Sequence, residues 1–128
     1  MAFVEVFDLF GEVPQTDLSG LMERAAQRDD EGCNQLEIAR IGERYPMLGV
    51  SLKGDYAVVQ YIGDEGSDVQ VVAGDTSFGR DEVIQFRGTE GSESYTGSVI
   101  VKFTVAAEFM KAFVMREPWP EEPGWLTL

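Results

Sequence analysis

The stretch MLGVSLKGDYAVVQYI, residues 47–62, decides the fold class. Residues 48–52 alternate apolar side chains with others, which is the period of a β-strand that buries one face. The Lys-Gly-Asp sequence at 53–55 is typical of a tight turn, and the apolar run at 56–62 predicts the returning strand. The stretch therefore predicts an antiparallel β-hairpin in the middle of the chain.

Further strand patterns lie on both sides of this hairpin. They cover residues 2–7, 36–41, 69–72, 83–87 and 92–97. Short strands separated by Gly-rich or acidic turns are typical of an antiparallel meander. The last of them, SESYTG, is polar, so we expect it near a sheet edge.

Two helices are predicted outside the meander. Apolar residues recur at helical spacing over residues 18–25, and Thr16 or Asp17 precedes them as a candidate N-cap. A second amphipathic helix is predicted over about 103–116, where prolines end it. A C-terminal Trp at 125 is expected to dock as a short strand or cap. The whole chain, residues 1–128, is thus expected to form one α+β domain, an antiparallel sheet with an N-terminal helix and a C-terminal amphipathic helix packed on it.

Net charge is the main compositional feature of the chain. Its 23 carboxylates outnumber 10 basic side chains, which gives a formal charge of −13. Such a field repels phosphate backbones and anionic lipid surfaces, so nucleic-acid and membrane partners are disfavoured. It speeds association with a basic partner. Composition alone leaves a second interpretation open, in which the acidity serves only solubility.

Several kinds of reactive site are disfavoured by residue content. The chain has no histidine, so a Ser–His or Cys–His nucleophile is excluded and a zinc site is disfavoured. Cys33 is the only cysteine, which precludes an intrachain disulfide and fits a reducing, cytoplasmic compartment. The glycine pairs Gly63-x-x-Gly66 and Gly88-x-x-Gly91 have no following Lys-Ser/Thr and open no helix, unlike phosphate loops. No cofactor or metal is expected, and no small-molecule substrate.

Paired carboxylates leave a hydrolase open as an alternative. The pairs and runs are Asp29-Asp30-Glu31, Asp64-Glu65 with Asp68, Asp81-Glu82 and Glu121-Glu122. Acid–base catalysis needs two such groups to converge in a cleft. These groups lie in predicted loops and at segment ends, which is typical of solvated faces.

The order of features over residues 46–128 resembles a known family. A strand, a Gly-Asp turn and Ala57-Val58-Val59 are followed by Val99-Ile100-Val101, an amphipathic helix through Phe113, and Trp125-Leu126. This order resembles the bacterial immunity-protein family often placed first among those of polymorphic-toxin systems, which includes inhibitors of deaminase toxins. The sequence departs from the family at residues 102–105, which are more apolar than its usual capped helix start, and in the Pro- and acid-rich segment before Trp125. The identity of the partner is therefore left open.

The resemblance implies a cytoplasmic, non-catalytic antitoxin that covers the active site of a cognate toxin domain. A toxin that acts on nucleic acid presents a basic surface, for which an acidic inhibitor competes. The residues expected to bind it are the exposed acids of the loops over 64–82, with one aromatic anchor: Asp64, Glu65, Asp68, Asp75, Asp81, Glu82 and Phe78. Phe78 and Trp119 are the aromatics expected outside the core, because each lies in a Gly- or Pro-rich connection. A non-catalytic scaffold without a toxin partner is the remaining alternative.

Overall fold

The computed structural model describes residues 2–66 and 68–128, and these form ten strands and two helices. In chain order they are β1 (Val4–Asp8), β2 (Gly11–Thr16), α1 (Leu18–Ala25), β3 (Cys33–Arg40), β4 (Met47–Lys53), β5 (Tyr56–Ile62), β6 (Gln70–Val72), β7 (Val83–Gly88), β8 (Gly91–Thr96), β9 (Val101–Lys102), α2 (Phe103–Met115) and β10 (Trp125–Thr127). The α+β class and the antiparallel meander with two helices are confirmed.

The strands belong to two antiparallel sheets. The main sheet has the order β10-β6-β5-β4-β3-β1-β2, with β9 paired to β5 beside that path, and β7 and β8 form a separate hairpin. The predicted central hairpin is β4–β5, in which Lys53 pairs with Tyr56 across the turn. Gly54 has a φ of 55° in this turn, a left-handed conformation that glycine adopts without steric cost.

Strand β2 was not predicted, and Pro14 is the reason. The pairing of Val6 with Val13 and of Val4 with Thr16 places one extra residue in β2, so Pro14 and Gln15 form a bulge. A bulge on an edge strand is one of the few places in a sheet that tolerate proline, which lacks a backbone donor. Strand β2 therefore forms where the sequence predicted only a segment that leads into the first helix.

Both helices pack on one face of the main sheet, which we call the inner face. Helix α1 begins at Asp17, whose carboxylate accepts a hydrogen bond from Gly20 N–H (3.0 Å), as predicted for an N-cap. The buried side chains of α2 face those of the central strands in one core cluster. Arg40 extends from β3 to the end of α2, where its guanidinium lies 4.2 Å from the ring centroid of Phe113 and donates to that residue's carbonyl.

Trp119 belongs to this core, so the expectation that it lies outside the core was wrong. Its ring is 5.2 Å from Trp125, 5.6 Å from Tyr61 and 5.9 Å from Phe109, centroid to centroid. The chain after α2 turns back over the inner face, and burial of a large aromatic surface there favours packing over exposure. Trp125 docks in β10, as predicted.

The β7–β8 hairpin packs on the opposite face of the main sheet, which we call the outer face. Phe86 of the hairpin joins Val58, Val71 and Ile100 in a second buried cluster. The tip of the hairpin lies against β3, where Thr89 N–H donates to Gln35 Oε1 (3.0 Å). The polar strand β8 is thus an edge strand, as predicted, but of its own two-stranded sheet.

Two glycines hold the hairpin close to the chain that leads into it. Gly97 is buried against the backbone of Phe78 and Gly79, and a Cβ on Gly97 would overlap their carbonyl groups. A Cβ on Gly74 would overlap the carbonyl of Gly97 in the same way. Because the obstructing atoms are backbone, no side-chain rotation relieves the overlap.

Over residues 2–66 and 68–128, no helix combines the length and apolar character needed to cross a membrane.

Replacing Gly97 with Ala is expected to lower the free energy of unfolding by about 2 kcal/mol, because the backbone must move to admit the methyl group. Gly49→Ala is the matched control, since its Cβ would meet only Gln60 Cβ at 3.9 Å and the strand conformation suits alanine. Urea denaturation followed by circular dichroism measures both. Equal stabilities of the two variants would show that the backbone contact is not tight.

Candidate partner-binding surface

The predicted binding residues fall into two groups along the chain. Asp64 and Glu65 lie exposed in the β5–β6 connection with Asp68, and Asp81 and Glu82 lie exposed just before β7. Their exposure leaves them able to contact a partner, and their role stays a prediction.

Asp75, by contrast, is half-buried, and its carboxylate forms hydrogen bonds within the fold. Its carboxylate accepts hydrogen bonds from Ser77 N–H (2.9 Å) and Lys102 N–H (2.8 Å). Burial alone would raise the pKa of Asp75, but the hydrogen bonds from Ser77 and Lys102 outweigh it and hold the pKa below its ordinary value. Asp75 therefore fastens the connection to β9.

Phe78 is half-buried as well, which corrects the expectation that it lies outside the core. Its ring meets Tyr56 edge to face at a centroid distance of 5.1 Å, within the cluster beneath the β7–β8 hairpin. The Gly-rich connection brings the ring back onto the outer face and does not hold it out in solvent.

Two of the predicted residues, Asp75 and Asp64, lie towards opposite ends of strand β5. Asp75 lies beside Lys102, which pairs with Tyr56 at the start of β5, whereas Asp64 follows Ile62 at the end of that strand. A strand rises about 3.3 Å per residue, so Asp75 and Asp64 are separated by roughly 20 Å.

A different set of acidic residues does come together, on the part of the outer face that the hairpin leaves uncovered. We call this part the open face, and it consists of Glu5, Phe7, Glu12, Glu37, Ala39 and Met47. These residues meet because side chains alternate along each strand and the register aligns them across strands. Glu12, Phe7 and Glu37 form one row, and Glu5, Ala39 and Met47 form the next.

The open face contains a groove of about 440 Å³. Ala39 and Met47 contribute apolar floor, and the β3–β4 loop at Gly42–Arg44 forms one wall. Phe7 also lines it, although 44 % of that residue is exposed. A phenylalanine that exposed, on the face of a strand, is available to a partner.

A second depression continues from Phe7 towards the tip of the β7–β8 hairpin. It is lined by Phe10 of the β1–β2 turn, by Asp29 and by Gly88 and Thr89 of the hairpin. Phe7 lies between the two depressions and lines both.

The carboxylates of the open face are not neutralised by neighbouring cations. None of Glu5, Glu12 and Glu37 forms an ion pair with any described residue. Glu43 in the groove wall pairs with Arg116 (2.7 Å), and Arg44 is the one cationic side chain lining the groove in the described part of the chain. The groove therefore carries excess negative charge.

Arg87 belongs to the neighbouring hairpin and is surrounded by acids. Its guanidinium lies 3.4 Å from Glu31 and 3.6 Å and 3.7 Å from Asp29 and Asp30. Backbone N–H donors of Cys33 and Glu31 hold the pKa of Asp29 below its ordinary value, with a smaller contribution from Arg87. One cation shared among three carboxylates leaves this side of Phe7 acidic too.

Strand β1, which carries Glu5 and Phe7, is held by a buried ion pair on its inner face. Asp8 is fully buried and accepts from Arg24 of α1 at 2.6 Å and 2.8 Å, with Asn34 Nδ2 at 3.3 Å. Asp8 also accepts from Phe10 N–H (2.8 Å), which fixes the β1–β2 turn. Burial opposes ionisation of Asp8, but these hydrogen bonds outweigh it, so its pKa lies below the ordinary value.

These geometries bear on the hydrolase alternative. Asp8, Asp29 and Asp75 have lowered pKa values, so none of the three is suited to act as a general acid near neutral pH. Over the described residues, no group of three or more Cys, Asp or Glu is arranged to hold a metal ion. Cys33 is buried. What the open face offers is binding of a cationic, partly apolar surface.

Sequence reasoning missed the open face although it carries a signal. Phe7 alternates with Val6 and Asp8, which places an aromatic side chain on the polar side of its strand, beside Glu5. Glu37 and Ala39 likewise alternate with the buried Leu36 and Ile38 and so lie on the opposite face. The alternation of apolar and polar residues does not predict which part of the outer face is covered by another element.

No protein-family model matches the chain, and no curated protein matches it either. The resemblance drawn from residues 46–128 therefore stays a prediction, and the function of the protein has to be inferred from its fold and its surface.

Asp8→Asn is expected to lower the free energy of unfolding at pH 7 by about 3 kcal/mol, because it leaves Arg24 without its buried partner. The folded-state pKa of Asp8 is lowered, so its contribution is complete above the unfolded pKa of about 4 and is lost as the pH falls through the lower folded value. The difference between wild type and variant should therefore shrink towards pH 2.

Urea denaturation of both proteins across this pH range measures the effect. Glu23→Gln, at an exposed position of α1, is the control and should match wild type at each pH. A wild-type advantage that stayed constant down to pH 2 would contradict the role given to the Asp8 carboxylate.

Proposed function

We propose that this protein is an immunity protein, a non-catalytic inhibitor that binds a cognate toxin domain and blocks access to its active site. The proposal combines the resemblance over residues 46–128 with the charge of −13. It includes location in the cytoplasm, where such an inhibitor protects the cell that makes it. The toxin is a nucleic-acid deaminase or nuclease.

The observation that carries the proposal is the open face. It joins an exposed phenylalanine to three carboxylates, Glu5, Glu12 and Glu37, that form no ion pair with any described residue. Unpaired charges around an apolar centre are typical of a surface that is completed by a partner.

Electrostatics gives such an inhibitor its advantage. An enzyme that acts on nucleic acid needs a positively charged surface around its active site. An acidic protein is drawn to that surface and competes with the phosphate backbone for it. Association should then be fast at low salt and slow as screening shortens the range of the field.

Neither alternative has a specific observation in its favour. A hydrolase needs a raised carboxyl pKa beside an ionised one, and the lowered values of Asp8, Asp29 and Asp75 do not supply it. A scaffold would also use an exposed binding surface, and what favours the inhibitor over it is the resemblance over residues 46–128.

The purified protein is expected to bind the toxin domain encoded by the neighbouring gene and to abolish that domain's activity on nucleic acid. The association rate constant should fall at least about tenfold between low salt and roughly 0.5 M NaCl, because steering is screened. Stopped-flow or surface plasmon resonance measures the rate, and a nucleic-acid turnover assay measures inhibition.

A toxin domain with its catalytic residue removed serves as the control for binding without chemistry. Absence of both binding and inhibition would contradict the proposed function. Binding with a salt-independent rate would contradict its electrostatic part.

A further inference from the structure

We propose that the toxin docks on the open face, through a basic segment that presents an apolar side chain between two cationic ones. This inference rests on the proposed function and adds the site and its chemistry. It moves the binding site away from the acidic loops at 64–68 and 81–82.

The apolar part of the recognition is centred on Phe7. Phe7 is 44 % exposed and lies next to the floor formed by Ala39 and Met47, in a groove with a volume of about 440 Å³. That space accommodates an aliphatic side chain of a partner, and burying Phe7 under it removes apolar surface from water.

The cationic part is set by the row that contains Phe7. Glu12 pairs with Phe7 on one side and Glu37 pairs with it on the other, so a carboxylate lies on each neighbouring strand. Strands are spaced about 4.8 Å apart, which places the two carboxylates roughly 10 Å from each other with the ring between them. Two Lys or Arg side chains on either side of an aliphatic one complement this row.

The surroundings favour a basic protein partner over a second copy of this chain. Glu5 and Glu43 line the same groove, and Arg44 is the one cation lining it among described residues. Two copies that brought these faces together would oppose like charges, at a net charge of −13 each. A sheet face is ordinarily either covered or lined by polar side chains. The open face exposes Phe7 and is not covered by any element of the described residues.

The loops provide a matched comparison of equal charge. A variant with Glu5→Gln, Glu12→Gln and Glu37→Gln removes three carboxylates from the open face. A variant with Asp64→Asn, Glu65→Gln and Asp68→Asn removes three from the β5–β6 loop. Long-range steering depends on total charge, so both lower the association rate to a similar degree, but only the first removes contacts at the docking site.

Binding of each variant to the toxin domain is measured by surface plasmon resonance, after thermal unfolding has shown that both fold as wild type does. The open-face variant should bind at least about tenfold more weakly, through faster dissociation, since three exposed charge pairs are lost together. The loop variant should keep the wild-type dissociation rate. Faster dissociation of the loop variant alone would overturn the inference and place the site at residues 64–68.

A cation placed in the groove is a second, independent test. Ala39→Arg should weaken toxin binding at least about tenfold, because it fills the floor and repels the basic segment. Gln27→Arg makes the same charge change on an exposed loop outside the open face and should leave dissociation unchanged. Equal dissociation rates for both Arg variants would contradict docking on the open face.

A peptide tests the chemistry without the toxin. A short acetylated peptide of repeated Arg-Leu-Arg is titrated into the isotope-labelled protein, and chemical shifts are followed by NMR. The shifts should change at Phe7, Glu37 and Ala39 and disappear when citrulline replaces arginine or serine replaces leucine. Changes confined to residues 64–68, or none at all, would overturn the proposed chemistry.

The proposed function and the proposed docking site fail in different ways. If the wild-type protein neither binds nor inhibits the toxin, the proposed function fails whatever the peptide does. If it inhibits the toxin and the open-face variants behave as wild type, the function stands and the docking site is wrong. Analytical ultracentrifugation of the wild-type protein without toxin tests self-association. If the wild type were a dimer and the Phe7→Ala variant a monomer, the open face would be a dimer interface.

Discussion

The β7–β8 hairpin covers only part of the outer face of the main sheet. This incomplete cover determines which residues of that face are buried and which form the open face. The hairpin is held at one end by backbone contact between Gly97 and Gly79, and its tip stops at Gln35 of β3. Beneath it, Phe86 and Val58 are buried. Beyond it, Phe7, Glu37 and Ala39 belong to the same sheet face and line an open groove, with no element of residues 2–66 and 68–128 packed over them. On the inner face, the Asp8–Arg24 ion pair ties β1 to α1 and so fixes the strand that carries Phe7.

The parts of the fold that could be predicted are those whose signals are local. The β4–β5 hairpin has alternation and a turn glycine within 16 consecutive residues, and α1 has its capping Asp17 one residue before the helix. Strand β2 could not be predicted, because the bulge that accommodates Pro14 exists only against its partner strand β1. The division into two sheets could not be predicted either, because it depends on which strands pair, and β7 and β8 pair with each other apart from the main sheet. Trp119 was misassigned for the same reason, since proline neighbours indicate a loop but not what the loop packs on.

The acidity of the candidate site could be predicted from the sequence, but its location could not. An excess of carboxylates predicts an acidic surface, but the sequence alone does not rank one acidic run above another. The structure distinguishes them: Asp75 is used in hydrogen bonds to Ser77 and Lys102, whereas Glu37 lies free of ion pairs among described residues, beside an exposed ring. Glu12, Phe7 and Glu37 are up to 30 positions apart in the chain and become neighbours through strand register. Strand register and the packing of one element over another depend on contacts between distant parts of the chain. Local periodicity in the sequence does not predict them.

Side-chain protection in the complex tests docking on the open face most directly, because it reports contact at named residues without altering them. Hydroxyl-radical footprinting with mass spectrometry measures oxidation of Phe7 and Met47 in the free protein and in its complex with the toxin domain. Docking on the open face predicts that oxidation of both falls strongly on binding while Met115, an exposed residue at the end of α2, is unaffected. Unchanged oxidation of Phe7 and Met47 in a saturated complex would contradict it.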